Sequence, residues 1–260
     1  DVEYGTNLLT PEILETAVAK YPDAKAVMVV HYGGQSADMK GIIDVSNKHG
    51  LKVIEDAAHA FPTRYQGKYV GGFGNATCFG FYANKTITTG EGGMLATNDD
   101  AIYERAKVMR LHGINRDIWD RFTSKTAKWE YDVIAPGFKY NMPDLNAAVG
   151  LAQLERAEDF RAGRQRCAEH YYVQLGDVDC IDLPVNKGTI EGHSWHLYPI
   201  VLNERAKMDR NDLINKLNAA GIGTSVHYKP IHRMTYWRER YQLKPEDFPV
   251  AEKIWKGNLS

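Results

Sequence analysis

Residues Leu51–Ala60 read LKVIEDAAHA: a short strand-like run that ends on the carboxylate of Asp56 and opens into small residues. Upstream, Ala26–Tyr32 (AVMVVHY) is a continuous apolar run, the pattern of a strand covered on both faces. Between these strands, Met39–Lys48 has helical spacing, and Gly50 is placed to terminate the helix. Ahead of them, Thr10 and Pro11 form an N-cap and first-turn pair. Ile13, Leu14, Ala17, Val18 and Tyr21 follow at helical intervals. Further on, Thr77–Tyr82 and Gly93–Thr97 read as strands and Asp100–Leu111 as a helix. Strands separated by helices of this length predict an α/β domain with a largely parallel sheet.

The second half reads differently. Asn141–Leu175 carries a long helical pattern with Leu145, Ala148, Val149, Ala152 and Leu154 on one face, suited to bridging a large and a small domain. Trp195–Leu202 (WHLYPIVL) then reads as a strand, Arg210–Ala220 as a helix and Gly223–Tyr228 (GTSVHY) as a strand. This predicts a large α/β domain over residues 1–160 and a smaller α+β domain over 161–260. The connection from Gly113 to Phe138, rich in Trp, Arg and Lys, is long enough to be a functional loop.

Composition narrows the function classes. With 260 residues the chain can bury a sizeable core, and 43% hydrophobic with 25% charged residues is the balance of a soluble globular protein. A net charge of −1, with dispersed Lys and Arg, offers no nucleic-acid footprint. Three cysteines, Cys78, Cys167 and Cys180, fit a reducing, cytoplasmic compartment better than a disulfide framework. No apolar run reaches membrane-spanning length. The chain opens at Asp1 without a Met and closes on Gly257–Ser260 (GNLS), so a fragment is expected.

Chemistry concentrates where strands end. Ligands of open α/β sheets bind at the carboxyl ends of the strands, and Asp56 ends one while Lys85 follows another in CFGFYANKTITTGEGGM (Cys78–Met94). Alone, Asp56 reads as a turn or cap residue and Lys85 as a solvated lysine. Together they are what pyridoxal phosphate chemistry needs: an amine to condense with the aldehyde and a carboxylate to keep the pyridine nitrogen protonated. Gly90, Gly92 and Gly93 permit positive φ or close backbone approach. GEGG is no GxxxxGK[ST] loop and GxGxxG does not occur, so nucleotide-loop readings gain little, and no metal site is expected. His59, three residues after Asp56, reads equally as a ring lying against the cofactor and as a half-buried imidazole bonded to backbone.

The segments VVHYGGQSADM (Val29–Met39), EDAAHA (Glu55–Ala60), FYANKTITTGEGGM (Phe81–Met94) and PGFKYNMPDLNAAVGLAQL (Pro136–Leu154) resemble the DegT/DnrJ/EryC1/StrS family of pyridoxal-phosphate-dependent nucleotide-sugar aminotransferases. The resemblance covers essentially the whole chain. It implies the type I fold of these transferases: a three-layer α/β/α large domain with a mostly parallel sheet, plus a smaller α+β C-terminal domain. It implies that Lys85 is the Schiff-base lysine, Asp56 the partner of the ring nitrogen and His59 the residue against the ring. Asn141 resembles an asparagine that reaches the cofactor phosphate of the partner subunit in a homodimer with shared sites. His227 and His232, in HYKPIH, resemble a segment near the sugar nucleotide. Two departures stand out. The family's phosphate-binding serine is Gly80 here, which offers only its backbone amide. The family's further N-terminal α/β segment and last C-terminal stretch also have no counterpart within residues 1–260.

The implied reaction moves an amino group from glutamate to a nucleotide-linked keto-sugar, a 4-keto-6-deoxy hexose, for amino-sugar and polysaccharide biosynthesis. Alternatives are a sugar dehydratase of the same superfamily, against which Lys85 argues because that branch carries histidine there, and a truncated or non-catalytic member without cofactor.

Overall fold

In the computed structural model, residues 1–115, 131–186 and 192–260 are described. Helix α1 (Pro11–Lys20) starts where Thr10 accepts the Ile13 amide at 3.3 Å, and α2 (Met39–Lys48) starts where Asp38 accepts the Gly41 amide at 3.2 Å. Strands β1 (Ala26–Val30) and β2 (Lys52–Asp56) pair in parallel, with Val30 opposite Asp56. After a small hairpin of β3 (Arg64–Tyr65) and β4 (Lys68–Tyr69), β5 (Ala76–Gly80) adds in parallel to β2, with Asp56 opposite Cys78. Strand β6 (Gly93–Ala96) closes the order β1-β2-β5-β6 and runs antiparallel to β5. Lys85 therefore sits in the loop joining the one antiparallel pair of this sheet.

The two sides of the sheet differ. Val29 and Val53 pack with Leu14 and Val18 of α1, Met39 and Ile42 of α2, and Leu51 just ahead of β2, forming the main core. The other side carries Met28, Val30, Asp56, Cys78 and Leu95, and Met28 is 62% exposed. Asp56 thus lies on the open side of the sheet, at the end of its strand.

On the packed side, the neighbour of Asp56 does structural work. Glu55 and His31 are fully buried, 3.1 Å apart. The Ala37 amide donates to His31 Nδ1, so the imidazole carries its proton on Nε2 and donates it to Glu55. Glu55 also accepts from the Phe73 and Gly74 amides and the Thr77 hydroxyl. Burial alone would raise its pKa, but these bonds, with His31 foremost, bring it below the ordinary carboxylate value. Glu55→Ala strands four donors in the core. It should lower the unfolding free energy by about 3–5 kcal/mol in urea titration; a loss below about 1 kcal/mol would contradict this.

Helix α3 (Asp100–Met109) follows the sheet. The flanks of the long connection pair through Leu111–Lys139 and Ile114–Val133 bridges, while residues 116–130 of the expected functional loop lie outside the described residues. The pattern read as one helix over Asn141–Leu175 is two: α4 (Asp144–Leu154) and α5 (Ala157–Leu175). Arg156 leaves helical geometry at φ −105°, ψ 4°, which ends one helix before the next begins. Of the apolar face read on α4, Leu145 is 83% exposed, so it faces away from this chain's own core.

The C-terminal unit holds a second sheet, β7 (Ile181–Asp182), β8 (Ile200–Leu202) and β9 (Asn258–Leu259), all antiparallel, with α6 (Arg210–Ala219), α7 (Thr235–Tyr241) and α8 (Pro249–Gly257). Two expected strands are corrected here. Trp195–Leu202 is extended into the sheet only from Ile200, because Trp195 takes a left-handed φ of 49° and its indole stacks on His193 at 3.8 Å. Gly223–Tyr228 forms no strand; a single backbone exchange between Ser225 and Ser260 holds it to the chain end.

Candidate active site

The loop that carries Lys85 is tied down by its own threonines. The Thr89 amide donates to the Phe81 carbonyl at 3.0 Å, and the Thr88 and Thr89 hydroxyls approach the same carbonyl. From α4, Asn146 donates to the Thr89 carbonyl at 2.6 Å, and Gln153 accepts from the Thr88 amide. Two of the glycines read from the sequence have physical reasons. Gly90 turns the chain at φ 79°, and a Cβ on Gly92 would fall 2.2 Å from Thr89 Oγ1. Gly80 leaves its own Cβ position 3.3 Å from the Ala58 Cβ. A serine there would crowd the turn that follows Asp56.

Lys85 is half-buried, and burial pulls its pKa below the ordinary lysine value while the nearby charge of Asp56 pulls the other way. The two groups interact, yet among the described residues they form no ion pair. Asp56 Oδ1 instead accepts the Ala58 amide at 3.0 Å, which sets the carboxylate at the rim. An acid and an amine within electrostatic reach but out of contact leave room between them. That spacing fits a cofactor gripped at both ends, a pyridine nitrogen at Asp56 and an aldehyde at Lys85.

His59 lies within reach of both charges. Burial, then Lys85, lowers its pKa to about 4, with Asp56 opposing. The imidazole is therefore neutral at neutral pH. Its Nδ1 accepts the Gly33 amide at 3.3 Å, which puts the ring proton on Nε2, 3.1 Å from the Tyr228 hydroxyl. His196 packs against His59, with ring centroids 4.4 Å apart and the planes tilted by 43°, and is itself held near pKa 3, by burial first and then by His59 and Lys85. Ser194 closes the arrangement by donating to the His59 carbonyl at 2.8 Å.

Of the two histidines read from HYKPIH, the structure brings one to this cluster. Burial first, and then the charge of Lys85, lowers the pKa of His227, and its Nδ1 meets Ser260 Oγ. Its carbonyl takes hydrogen bonds from Tyr32 and Asn258, so the β1–α2 connection and the chain end together hold it. His232 is elsewhere: it is buried, stacked on Phe248 at 4.6 Å, and paired with Glu252 at 2.6 Å. Arg233 grips the same carboxylate with two nitrogens. Arg233 foremost, then His232, holds Glu252 near pKa 2 against an ordinary 4.5. A depressed carboxylate stabilises the fold above its unfolded pKa and loses that contribution as pH falls toward the folded one. The wild type should lose resistance to urea as pH falls from 4.5 to about 2. Glu252→Gln should flatten that slope; an unchanged slope would contradict the pairing. Asn141 accepts a hydrogen bond from Lys139 on the half-exposed approach to α4, and among the described residues it makes no hydrogen bond to Lys85 or Asp56.

Tyr32, Ser194, His196 and Tyr228 belong to the cluster without having been read from the sequence. The ring-dense HSWHLY (His193–Tyr198) and the tyrosine next to His227 were the available signals.

Known proteins share this arrangement of the chain. Bacillus subtilis SpsC, a spore coat polysaccharide biosynthesis protein, is 41% identical over 262 residues, covering 100% of this chain and 66% of its own length. Helicobacter pylori PseC, an aminotransferase involved in the biosynthesis of pseudoaminic acid, superposes with a TM-score of 0.89 at 28% identity, covering 100% of this chain and 66% of that one. Streptococcus pneumoniae Spr1654 in its PMP form gives 0.87 at 26% identity, covering 100% and 69%. The chain thus spans about two thirds of the length of these relatives. Among the described residues no helix is long and apolar enough to cross a membrane. Residues 1–260 match the DegT/DnrJ/EryC1/StrS aminotransferase family, and the chain belongs to it.

Proposed function

We propose that this protein is a pyridoxal-phosphate-dependent aminotransferase that moves an amino group from glutamate to a nucleotide-linked 4-keto-6-deoxy hexose, in amino-sugar and polysaccharide biosynthesis. The observation that carries the reading is the pair of Asp56 and Lys85, within electrostatic reach at one rim and not neutralising each other. A relative solved in PLP and PMP forms supports the cofactor. When bound, that group supplies an aldehyde that takes up the migrating nitrogen and a ring that accepts the electron pair left by proton removal.

The chain's own residues do the rest. Asp56 holds the proton on the ring nitrogen, and His59 lies against the ring. The Gly80 amide, with Asn141 of a second subunit, serves the phosphate. Lys85 Nζ, its charge disfavoured by burial, takes the proton from the α-carbon of glutamate. It returns a proton to the sugar carbon that receives nitrogen. His227 borders the sugar nucleotide, and His232 steadies that segment through Glu252. The division at residue 160 gives Asp56, His59 and Lys85 to the large unit and His196, His227 and Tyr228 to the small one. The apolar residues that α4 leaves exposed, Leu145, Val149 and Leu151, support a homodimer with shared sites, and three free cysteines suit the cytoplasm.

The test is an amination assay with glutamate and UDP-, GDP- and dTDP-linked 4-keto-6-deoxy hexoses. Amino-sugar product in step with 2-oxoglutarate is expected for one of them; no product with any would overturn the assignment.

A further inference from the structure

Helix α4 draws inward the side chains that a core-packing helix would leave in water. Its half-buried residues are Asn146, Ala147, Gly150 and Gln153, while Leu145, Val149, Leu151 and Leu154 stay exposed. Asn146, Gly150 and Gln153 are spaced i, i+4 and i+7, so they share one face. That face meets the loop that carries Lys85. Asn146 Nδ2 donates to the Thr89 carbonyl at 2.6 Å and to the Glu91 carbonyl at 3.2 Å, bridging the turn at Gly90. Gln153 Oε1 accepts the Thr88 amide at 3.4 Å. Between them, Gly150 comes so close that a Cβ there would fall 2.9 Å from Thr89 Cγ2. Two carboxamides and a bare backbone suit a helix that rests on the peptide groups of another segment rather than on apolar side chains.

We propose that α4 seats the lysine of the reaction, with Asn146 and Gly150 as positioning residues that fix where Lys85 Nζ stands. This rests on the function proposed above. Among the described residues, Asn146 and Gln153 are the side chains from outside the β5–β6 hairpin that hydrogen-bond to residues 85–91. Within the loop, Thr88 Oγ1 accepts the Gly90 amide at 2.8 Å and Thr89 Oγ1 donates to the Glu91 carbonyl at 2.7 Å, so the turn moves as one piece. Thr86 and Ile87 join that turn to Lys85, and both are buried, Ile87 against Phe81 and Ala157. A shift at Thr89 is therefore carried back to Lys85 instead of being absorbed on the way. The seat also keeps Lys85 half-buried, which holds its pKa down. Asn146 and Gly150 act on the amine only through the loop backbone.

The test reads Lys85 without relying on turnover. Cofactor-free protein is treated with acetic anhydride across a pH series, and acetylation of Lys85 is followed by mass spectrometry. Asn146→Leu keeps the volume and removes both donors. Gly150→Ala puts a better helix former into α4 while pushing Thr89 aside, so it separates seating from folding. In both, the midpoint for Lys85 should rise at least about half a pH unit toward the ordinary lysine value, because a loosened loop is less buried. Glu252→Gln, which weakens the C-terminal unit instead, should leave that midpoint where it is. In loaded protein both half-reactions of the two α4 variants should slow together by about 10-fold. KM for glutamate and for dTDP- and UDP-linked 4-keto-6-deoxyglucose should stay within about twofold. An unmoved midpoint or unchanged turnover in Gly150→Ala, or an equal rise of the midpoint in Glu252→Gln, would overturn the seat while leaving the proposed function standing. A moved midpoint with no pyridoxal phosphate reducible onto wild-type Lys85 would overturn the function and leave the seating of Lys85.

Discussion

Lys85→Ala should reduce turnover at least about 10⁴-fold, because it deletes both the covalent anchor and the proton carrier. The fold should survive. Lys85 is half-buried, makes no ion pair among the described residues, and sits in a loop held by Thr88, Thr89, Asn146 and Gln153 rather than by its own side chain. Lys85→Arg is the sharper control. It preserves the charge that acts on His59 and His196, but a guanidinium neither gives up its proton at neutral pH nor condenses as an amine does. Both variants should therefore be folded, unlabelled by borohydride and inactive. Retained turnover in either, measured as 2-oxoglutarate release, would remove Lys85 from the chemistry.

Asp56→Asn should cost about 10²–10³-fold in turnover, the usual loss when a group facing developing charge is made neutral. Asparagine keeps the size and an oxygen for the Ala58 amide, so the turn after β2 should persist. What it loses is the negative charge that favours a protonated ring nitrogen. A second consequence has a definite sign. Asp56 raises the pKa of Lys85 against the lowering by burial. Removing the acid should move the titration of Lys85 downward, shifting the acidic limb of the rate profile to lower pH. An unchanged limb together with a near-normal rate would place Asp56 outside the site.

Local pattern made the sheet and its two charged residues readable from the sequence. Apolar runs ending at Asp56 and just before Lys85 put both at the carboxyl ends of adjacent strands, and β2 and β5 are neighbours in the sheet. The glycines of GEGG announced a loop whose backbone comes close to its neighbours, as Gly92 does with Thr89. The rest of the site depends on contacts that period and propensity do not encode. Ser194 reaches His59 across 135 residues and Tyr228 reaches it across 169. The apolar run WHLYPIVL looked like a strand because hydrophobicity alone does not register that Trp195 is turned left-handed by its stacking on His193. HYKPIH offered two equivalent histidines. Only the position of Glu252, far along the chain, shows that His232 is occupied while His227 lies beside Lys85.

The central claim is that Lys85 and Asp56 grip opposite ends of one ring. Its most direct test is to treat the protein with pyridoxal phosphate, reduce with borohydride, and map the modified peptide by mass spectrometry. The account predicts a single pyridoxyl group on Lys85, with much weaker labelling in Asp56→Asn. A label on another lysine, or none, would contradict it.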